Sequence, residues 1–448
     1  MKSAWITKSG EAYILFLTDE FPPERNTPGC KMHILFLSDN FPPETNAPAS
    51  RLYEHATHWV YLGHQVTVIT GAPNFPQGKV YPGYWNRWYA VEHMNGIRVV
   101  RVKTYIAPNE GFSKRILDYL SFMATSVTAG LFQKAPDIIV ATSPQFFAAA
   151  GGWLLAAWRR RPFLFELRDL WPAQIVTVGM MPPDSRVVRW LEKLELFLYR
   201  QAAAIIPVTE SFKLDLVARG IPESKISVVI NGVDLNLFAQ RPRDQALSEE
   251  LGLADKFVVG YLGTHGLNQG LEQGLDAARL LQDQKQIVFL FVGDGARRNA
   301  LIQIADSMNL ANVKFMASQP KEMMPRLWSL CDVTLIPLKN DPLYTKMIPS
   351  KLFEVMGMGV PAIVALPEGE ATRIVRKYGT GIVVPPEQPA RLAAVILELY
   401  NTPDEVAALR QASAAAAPFF SRASQAEKML KVFQAVVEDT PGLARASA

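Results

Sequence analysis

The stretch ILFLSDNFPPETNAPASRLYEHATHWVYLGHQVTVIT, from Ile34 to Thr70, decides the architecture. It opens on a short apolar run, Ile34 to Ser38, that predicts a buried strand. A loop stiffened by Pro42 and Pro43 follows. Leu52, Ala56, Trp59 and Val60 then fall on one helical face, and Gly63 ends that helix. Val66 to Thr70 begins a second strand. This order, strand, loop, helix, strand, is the unit from which parallel sheets are built.

Half of the unit is written twice. ILFLTDEFPPERNTP at Ile14 to Pro28 matches ILFLSDNFPPETNAP at Ile34 to Pro48 in eleven of fifteen positions. Only the second copy runs on into the helix and the next strand, so the second copy is expected to be the first sheet strand. The first is read as an added edge strand, a loosely held arm, or a stretch without function that arises from a small tandem duplication or from a start codon assigned too far upstream. Met32 stands just ahead of the second copy, where the functional domain is expected to begin.

The same grammar continues. Apolar runs at Ile138 to Thr142, Phe163 to Leu167 and Ala204 to Val208 alternate with helical stretches. After Asn231 to Phe238 the alternation restarts. New strands are predicted at Phe257 to Leu262, Ile287 to Val292, Val313 to Phe315, Val333 to Ile336, Pro361 to Val364 and Gly381 to Val384. Continuously apolar strands suit parallel sheets covered on both faces. The fold expected is therefore α/β, with two doubly wound, Rossmann-like domains facing a cleft. The expected divisions are an extension over 1–31, a first domain over 32–235, a second over 236–420, and a terminal helix and tail over 421–448. The helical stretch Ser421 to Glu438 is a candidate strap between domains.

Composition narrows the class. The chain of 448 residues has room for two domains; 49% of it is hydrophobic and 20% charged, as in globular proteins. A net charge of +4 is too small to argue for nucleic acid, and no Lys/Arg run exceeds Arg159 to Arg161. That triplet reads equally as a solvated helix end or as an anion or membrane site. Cys30 and Cys331 share no metal-ligand spacing. The N-terminus lacks a long apolar core, and Phe146 to Trp158 is too short and too rich in Ala and Gly to span a bilayer. The expected compartment is the cytoplasm, including the inner face of the plasma membrane.

A series of segments, taken in order, resembles glycosyltransferase family 4, the retaining, metal-independent enzymes of the GT-B fold. They are GHQVTVIT, ELRDLWP, ARGIPESKISVVINGVDLNLF, GYLGTHGLNQGL, LFVGDG, PSKLFEVMGMGVPAIV and GTGIVVPPEQPARLAAVI. Together they span almost all of Met32 to Glu438. RDLWP, GTHGLNQGL and PSKLFE are most similar to the branch containing N-acetyl-L-fucosamine transferases of surface-polysaccharide assembly. The resemblance implies a UDP-sugar donor, no other cofactor, and a lipid-linked saccharide acceptor.

The chemistry of the residues agrees with such a reaction. A nucleotide-sugar transferase must stabilise the charge of a departing diphosphate. No Asp-x-Asp pair is present for a metal, so basic side chains and helix N-termini must carry that charge. In IPSKLFEVMGMG, Ser350 stands near a helix start and Lys351 adds a point charge. The resemblance makes Glu354 the acceptor of ribose hydroxyl hydrogen bonds; the alternative is a solvated helix carboxylate.

The chain departs from the family pattern in three places, at four positions. Lys346 stands where many members carry a second Glu. Thr264 and Gln269 replace a diphosphate-binding Arg and Lys, and Arg168 replaces a His. Lys346, Lys351 and Arg168 are candidate substitutes in the diphosphate site, while Gly263 and Gly266 permit close backbone approach. His265 is read as a donor contact facing the cleft, or as structural. Asp169 is an acid or base in the cleft, or a turn cap. Gly293, in the turn Gly293 to Gly295, suits a loop near the nucleotide, and Glu370 is a sugar contact or an N-terminal helix acid. Asn46 and Ala47 are small residues of the first loop, at a helix start open to a ligand.

On the acceptor side, YPGYWNRWY (Tyr81 to Tyr89), the amphipathic stretch Ser113 to Lys134, and Trp153 and Trp158 combine aromatic and basic groups in a way that suits a membrane surface or a packed core. Two other activities fit the same architecture: a sugar-nucleotide 2-epimerase and a non-catalytic sugar-nucleotide-binding protein. PSKLFE and NGVD weigh against the first.

Overall fold

The computed structural model describes residues 31–44, 46–75, 78–106, 112–143, 145–170, 182 and 184–440. The first sheet holds β1 (His33–Leu37), β2 (Gln65–Thr70), β3 (Tyr89–Met94), β4 (Ile97–Val102), β5 (Ile138–Thr142), β6 (Phe163–Leu167) and β7 (Ala204–Pro207). Their order is β3-β4-β2-β1-β5-β6-β7, parallel except for β3. The second sheet holds β8 (Phe257–Leu262), β9 (Ile287–Val292), β10 (Val313–Met316), β11 (Val333–Pro337), β12 (Ala362–Ala365) and β13 (Gly381–Val384). Its order is β10-β9-β8-β11-β12-β13, parallel throughout. Both sheets are doubly wound, with strand order reversing at β1/β5 and at β8/β11. Every residue of β1, β5, β6, β9 and β11 is buried, which explains why these strands read as largely apolar runs, with Glu166 the one acid among them.

The second copy of the repeated stretch supplies β1, which pairs with β2 on one side and β5 on the other. The first copy lies outside the described residues. Because both edges of β1 are filled, deleting residues 1–31 is expected to change unfolding free energy by no more than about 0.5 kcal/mol, the range of neutral surface changes. Chemical denaturation of the truncated chain checks this; a much larger loss would make the first copy a structural strand.

The hairpin β3–β4 is absent from the sequence reading. Its strand β3 alternates exposed and half-buried residues on the sheet edge, so it carries no apolar run. The local signal was Asn95-Gly96: both residues have positive φ, 46° and 79°, and join Met94 to its partner Ile97.

The chain passes from the first sheet to the second through Val229 to Asp234 and returns at Phe420 to Arg422. There Val233 N–H donates to Phe420 O (2.9 Å) and Arg422 N–H to Val233 O (2.8 Å). A Cβ on Gly232 would stand 2.4 Å from Phe420 O, so this crossing admits only glycine. The final helix, Arg422–Glu438, packs on the first domain. Trp59 Nε1 donates to Ala426 O (2.9 Å), and its ring meets Phe433 at 5.1 Å. That helix therefore straps the two domains together through the core behind β1.

Candidate active site

The second domain builds its half of the cleft at its switch point, beyond β8 and β11. The loop after β8 is pressed backbone to backbone against the turn after β9. A Cβ on Gly293 would stand 1.9 Å from Gly263 O, and one on Gly295 would stand 2.5 Å from His265 O. Gly293 is thus required for packing two loops together, and no ligand is needed to explain it. The expected placement of His265 in the cleft is corrected here. Its side chain is fully buried among Tyr261, Phe291 and Phe315, at centroid distances of 5.8, 6.5 and 6.4 Å. Burial, then Arg298 and Lys351, push its pKa down to about 4, so the ring is neutral near pH 7. It lies in a cluster of four rings, and both of its ring nitrogens are buried without a hydrogen-bond partner among the described residues.

Helix Lys351–Met358 follows β11. The Lys351 ammonium lies 3.9 Å from the Tyr261 ring centroid and 2.9 Å from the point a Cβ on Gly263 would occupy. Burial draws its pKa down to about 8, while Glu354 opposes the shift. No ion pair to Lys351 exists among the described residues. One turn on, the Glu354 carboxyl is pushed up by burial and held back by Lys351, Lys321 and Arg422. Ser350 occupies the N-cap position with its exposed hydroxyl unused for capping. Thr264 is exposed, and its carbonyl accepts from Tyr261 OH at 2.6 Å. Gly266 and Gln269 form the half-buried turn beyond it, Gln269 N–H donating to Gly266 O at 3.4 Å.

The first domain contributes the end of β6. Ser143 Oγ accepts from the backbone N–H of Arg168 (2.7 Å) and Asp169 (3.2 Å), which fixes the strand end. The Arg168 guanidinium has no ion-pair partner among the described residues. Burial brings its pKa down to about 10, so it stays charged. Burial raises the Asp169 carboxyl, against the pull of Arg168. Behind Arg168 lies a residue the sequence reading missed. Arg51 is fully buried; its Nε donates to Glu166 at 2.9 Å, and its other nitrogens to Val229 O (2.8 Å), Ile230 O (2.6 Å) and Asn231 Oδ1 (3.2 Å). The available signal was Glu166, a charge inside the apolar run FLFEL, which demands a buried partner. Glu54 was missed as well. It pairs with Arg422 (2.7 Å) and Lys321 (3.2 Å), two cations from beyond the crossing. Arg422 lies within electrostatic reach of both Arg168 and Glu354, and so joins the two halves.

Three further expectations are corrected. Lys346 is not a free diphosphate ligand; it reaches across the cleft to Asp215 at 3.2 Å. Glu370 is not free to meet a sugar. It accepts from the N–H groups of Glu210 and Ser211 (3.0 Å each) and from Ser211 Oγ (2.7 Å), capping helix Glu210–Ala218 of the other domain. An acid at a helix N-terminus satisfies orphan donors, which is why this contact forms. These two ties bridge the domains beside a cavity of ≈ 540 Å³ lined by Ser211, Asp215, Lys346 and Gly369. Asn46 is spent on its own helix, its Oδ1 accepting from Ala49 N–H at 2.9 Å, and Ala47 is the exposed first residue of that helix. The Arg triplet divides likewise: Arg159 caps carbonyls of Gly130 and Gln133, and Arg160 is a left-handed helix end.

Among the described residues no three His, Cys, Asp or Glu side chains come together to hold a metal ion, and no helix is long and apolar enough to cross a membrane.

Comparison with known proteins agrees with this geometry. Residues 46–232 match the glycosyl transferase 4-like domain, and residues 244–416 match the glycosyl transferases group 1 domain. The chain is 26% identical over 351 residues to WcaI of Escherichia coli, assigned as a glycosyl transferase of colanic acid biosynthesis. That match covers 76% of this chain and 85% of WcaI. In fold it is similar to a sucrose-phosphate synthase from Thermosynechococcus elongatus (TM-score 0.73, 18% identity, 91% of this chain and 99% of that one). It is similar also to Anabaena HepE in complex with UDP (TM-score 0.63, 20% identity, 90% and 100%). The chain is a glycosyltransferase of the GT-B fold, its first domain of the glycosyl transferase 4-like kind and its second of group 1.

Proposed function

We propose that the enzyme is a retaining, metal-independent transferase that moves a sugar from a UDP-sugar to a lipid-linked saccharide during surface-polysaccharide assembly. The observation that carries this reading is a pair of cations with no ion-pair contact within 4.0 Å among the described residues: Lys351 beside Gly263, with Glu354 one turn on, and Arg168 at the end of β6, with Glu166 and Asp169 in electrostatic reach. A departing diphosphate is the partner such cations fit, and they supply the neutralisation a metal would otherwise provide. Glu354, one turn along the helix, is the residue proposed to accept from ribose hydroxyls, on the likeness of PSKLFE to the family motif. HepE with UDP supports the choice of nucleotide, and WcaI supports the polysaccharide setting. The likeness of RDLWP, GTHGLNQGL and PSKLFE to N-acetyl-L-fucosamine transferases supports an N-acetylated deoxyhexosamine as the donor sugar.

The acceptor's lipid calls for contact with the inner face of the plasma membrane. Phe132 (79% exposed), Trp158 (78%), Trp190 (57%) and Leu154 (42%) present the apolar and aromatic groups for it, with Arg160 exposed at the C-cap of the helix that carries Leu154 and Trp158.

One assay tests the reading. The protein is incubated with a panel of UDP-sugars and an isoprenoid-linked acceptor, in vesicles or as a short-chain soluble analogue, with and without EDTA. Expected are UDP release, a product with the donor's anomeric configuration, and no effect of EDTA. Trp158→Ala should slow the reaction on vesicles and leave the soluble reaction alone. Donor isomerisation, or binding without transfer, would replace the proposed activity by one of the two alternatives. Activity lost to EDTA and restored by Mg²⁺ would remove metal independence alone.

A further inference from the structure

Lys351 is half-buried, and its ammonium rests on the face of an aromatic ring. The nitrogen lies 3.9 Å from the Tyr261 ring centroid. Tyr261 is fully buried in β8, and the functional reading above gives it no part beyond packing.

The seat has a second wall. A Cβ on Gly263 would lie 2.9 Å from Lys351 Nζ and 3.3 Å from its Cε, so the lysine fills the space this glycine leaves open. The ring is fixed in its turn. Its hydroxyl donates to Thr264 O at 2.6 Å, and its sides pack on His265 and Phe291 at centroid distances of 5.8 and 6.1 Å. A strand, the loop that follows it and a helix from far along the chain thus hold one side chain among them.

A ring face does for a cation what a carboxylate cannot. Its quadrupole attracts the ammonium, yet it cancels none of the charge and leaves N–H donors uncommitted. An acid at hydrogen-bond distance would neutralise the ammonium and compete with any anion arriving from the cleft. Lys346 shows the contrast: it is paired with Asp215 at 3.2 Å and is committed.

We propose that Tyr261 is a positioning residue for sugar transfer, whose ring face keeps the Lys351 ammonium charged and in place for the donor's diphosphate. The proposal rests on the transferase reading above, and Tyr261 itself touches no substrate.

The arrangement has a signature in pH. A ring face favours the ammonium over the neutral amine, so weakening that face lowers the pH at which Lys351 deprotonates. Burial draws the Lys351 pKa down to about 8, and Glu354, on the same helix, opposes that shift. From the loop after β8, His265 titrates at about 4, in the field of Arg298 and Asp294. Burial pushes the Tyr261 phenol well up. Lys321 and Arg422 face Glu354. All of these but Tyr261 are common to every variant below.

Calorimetric titration of the full chain with UDP, from about pH 6.5 to about 9.5, tests it. Tyr261→Phe keeps the ring face, and Tyr261→Leu has none. Trifluorophenylalanine at the same position keeps the ring's shape closely while its fluorines draw charge from the face. Expected for the parent and Tyr261→Phe is the same alkaline fall in UDP affinity. For the fluorinated protein and Tyr261→Leu the fall should begin lower, by about 0.4–1.5 pH units, the equivalent of a cation–π contact. A purely structural Tyr261 would change the melting temperature and leave the position of the fall where it is. Coincident curves for Tyr261→Phe and the fluorinated protein would therefore overturn this inference alone, and that pair decides the matter should Tyr261→Leu not fold. A parent affinity that stays flat across the range also overturns it. If the parent fails to bind UDP, the transferase reading falls and takes this one with it.

Discussion

Arg51→Ala is expected to destabilise the first domain by about 3–5 kcal/mol, because breaking a buried ion pair leaves its other member charged and unpaired. Arg51 is fully buried and Glu166 is 2% exposed. Burial alone would raise the Glu166 carboxyl; Arg51 and Arg168 outweigh it and hold its pKa below the ordinary value. A depressed carboxylate contributes stability that is present above its unfolded pKa and lost as pH falls. In Arg51→Ala the sign reverses: burial without that partner raises the Glu166 pKa, so the deficit should shrink as pH falls toward about 4. Arg51→Ala/Glu166→Gln should recover part of the loss and no more, because Val229 O and Ile230 O remain without their donor. Urea unfolding of the four proteins of this cycle measures the coupling. Equal stability of parent and Arg51→Ala at pH 7 would show that the pair does not anchor the passage between domains.

Glu354→Gln should weaken UDP binding, or lower kcat/KM for the donor, by about 10- to 150-fold. That is the equivalent of the roughly 1.5–3 kcal/mol that hydrogen bonds to a charged group contribute. Melting of the ligand-free protein should barely move, since burial already disfavours the ionised carboxyl and Gln keeps its shape. The same helix predicts a pH dependence. Lys351 titrates at about 8, so UDP affinity should be greatest below that pH and fall by up to about tenfold per unit above it as the ammonium deprotonates. Lys351→Arg, whose guanidinium stays charged, should flatten that limb. Calorimetric titration with UDP from pH 6.5 to about 9.5 checks both statements. A Glu354→Gln protein that binds UDP as tightly as the parent would mean this helix is not the nucleotide site.

The periodicity of the chain was enough to find most strands of both sheets, because parallel strands buried on both faces must be apolar along their length. The hairpin β3–β4 escaped because an edge strand exposed on one face carries no such run. The glycines of the Gly293 to Gly295 turn were visible in the sequence, but their reason was not: they are needed where two loops from separate strands meet backbone to backbone.

What the sequence by itself determined was which segments become strands and helices, and that the second copy of the repeat joins the sheet, since these depend on patterns within a few residues. Only the tertiary structure decided which charged side chains are free to act. Lys346 and Lys351 are five positions apart, yet one is tied to Asp215 across the cleft and the other rests unpaired on Tyr261. Glu370 is spent on a helix of the opposite domain, and Arg51 on the chain passing between domains. A charge is committed or available according to what lies within a few ångströms of it, and for these residues those neighbours come from distant parts of the chain.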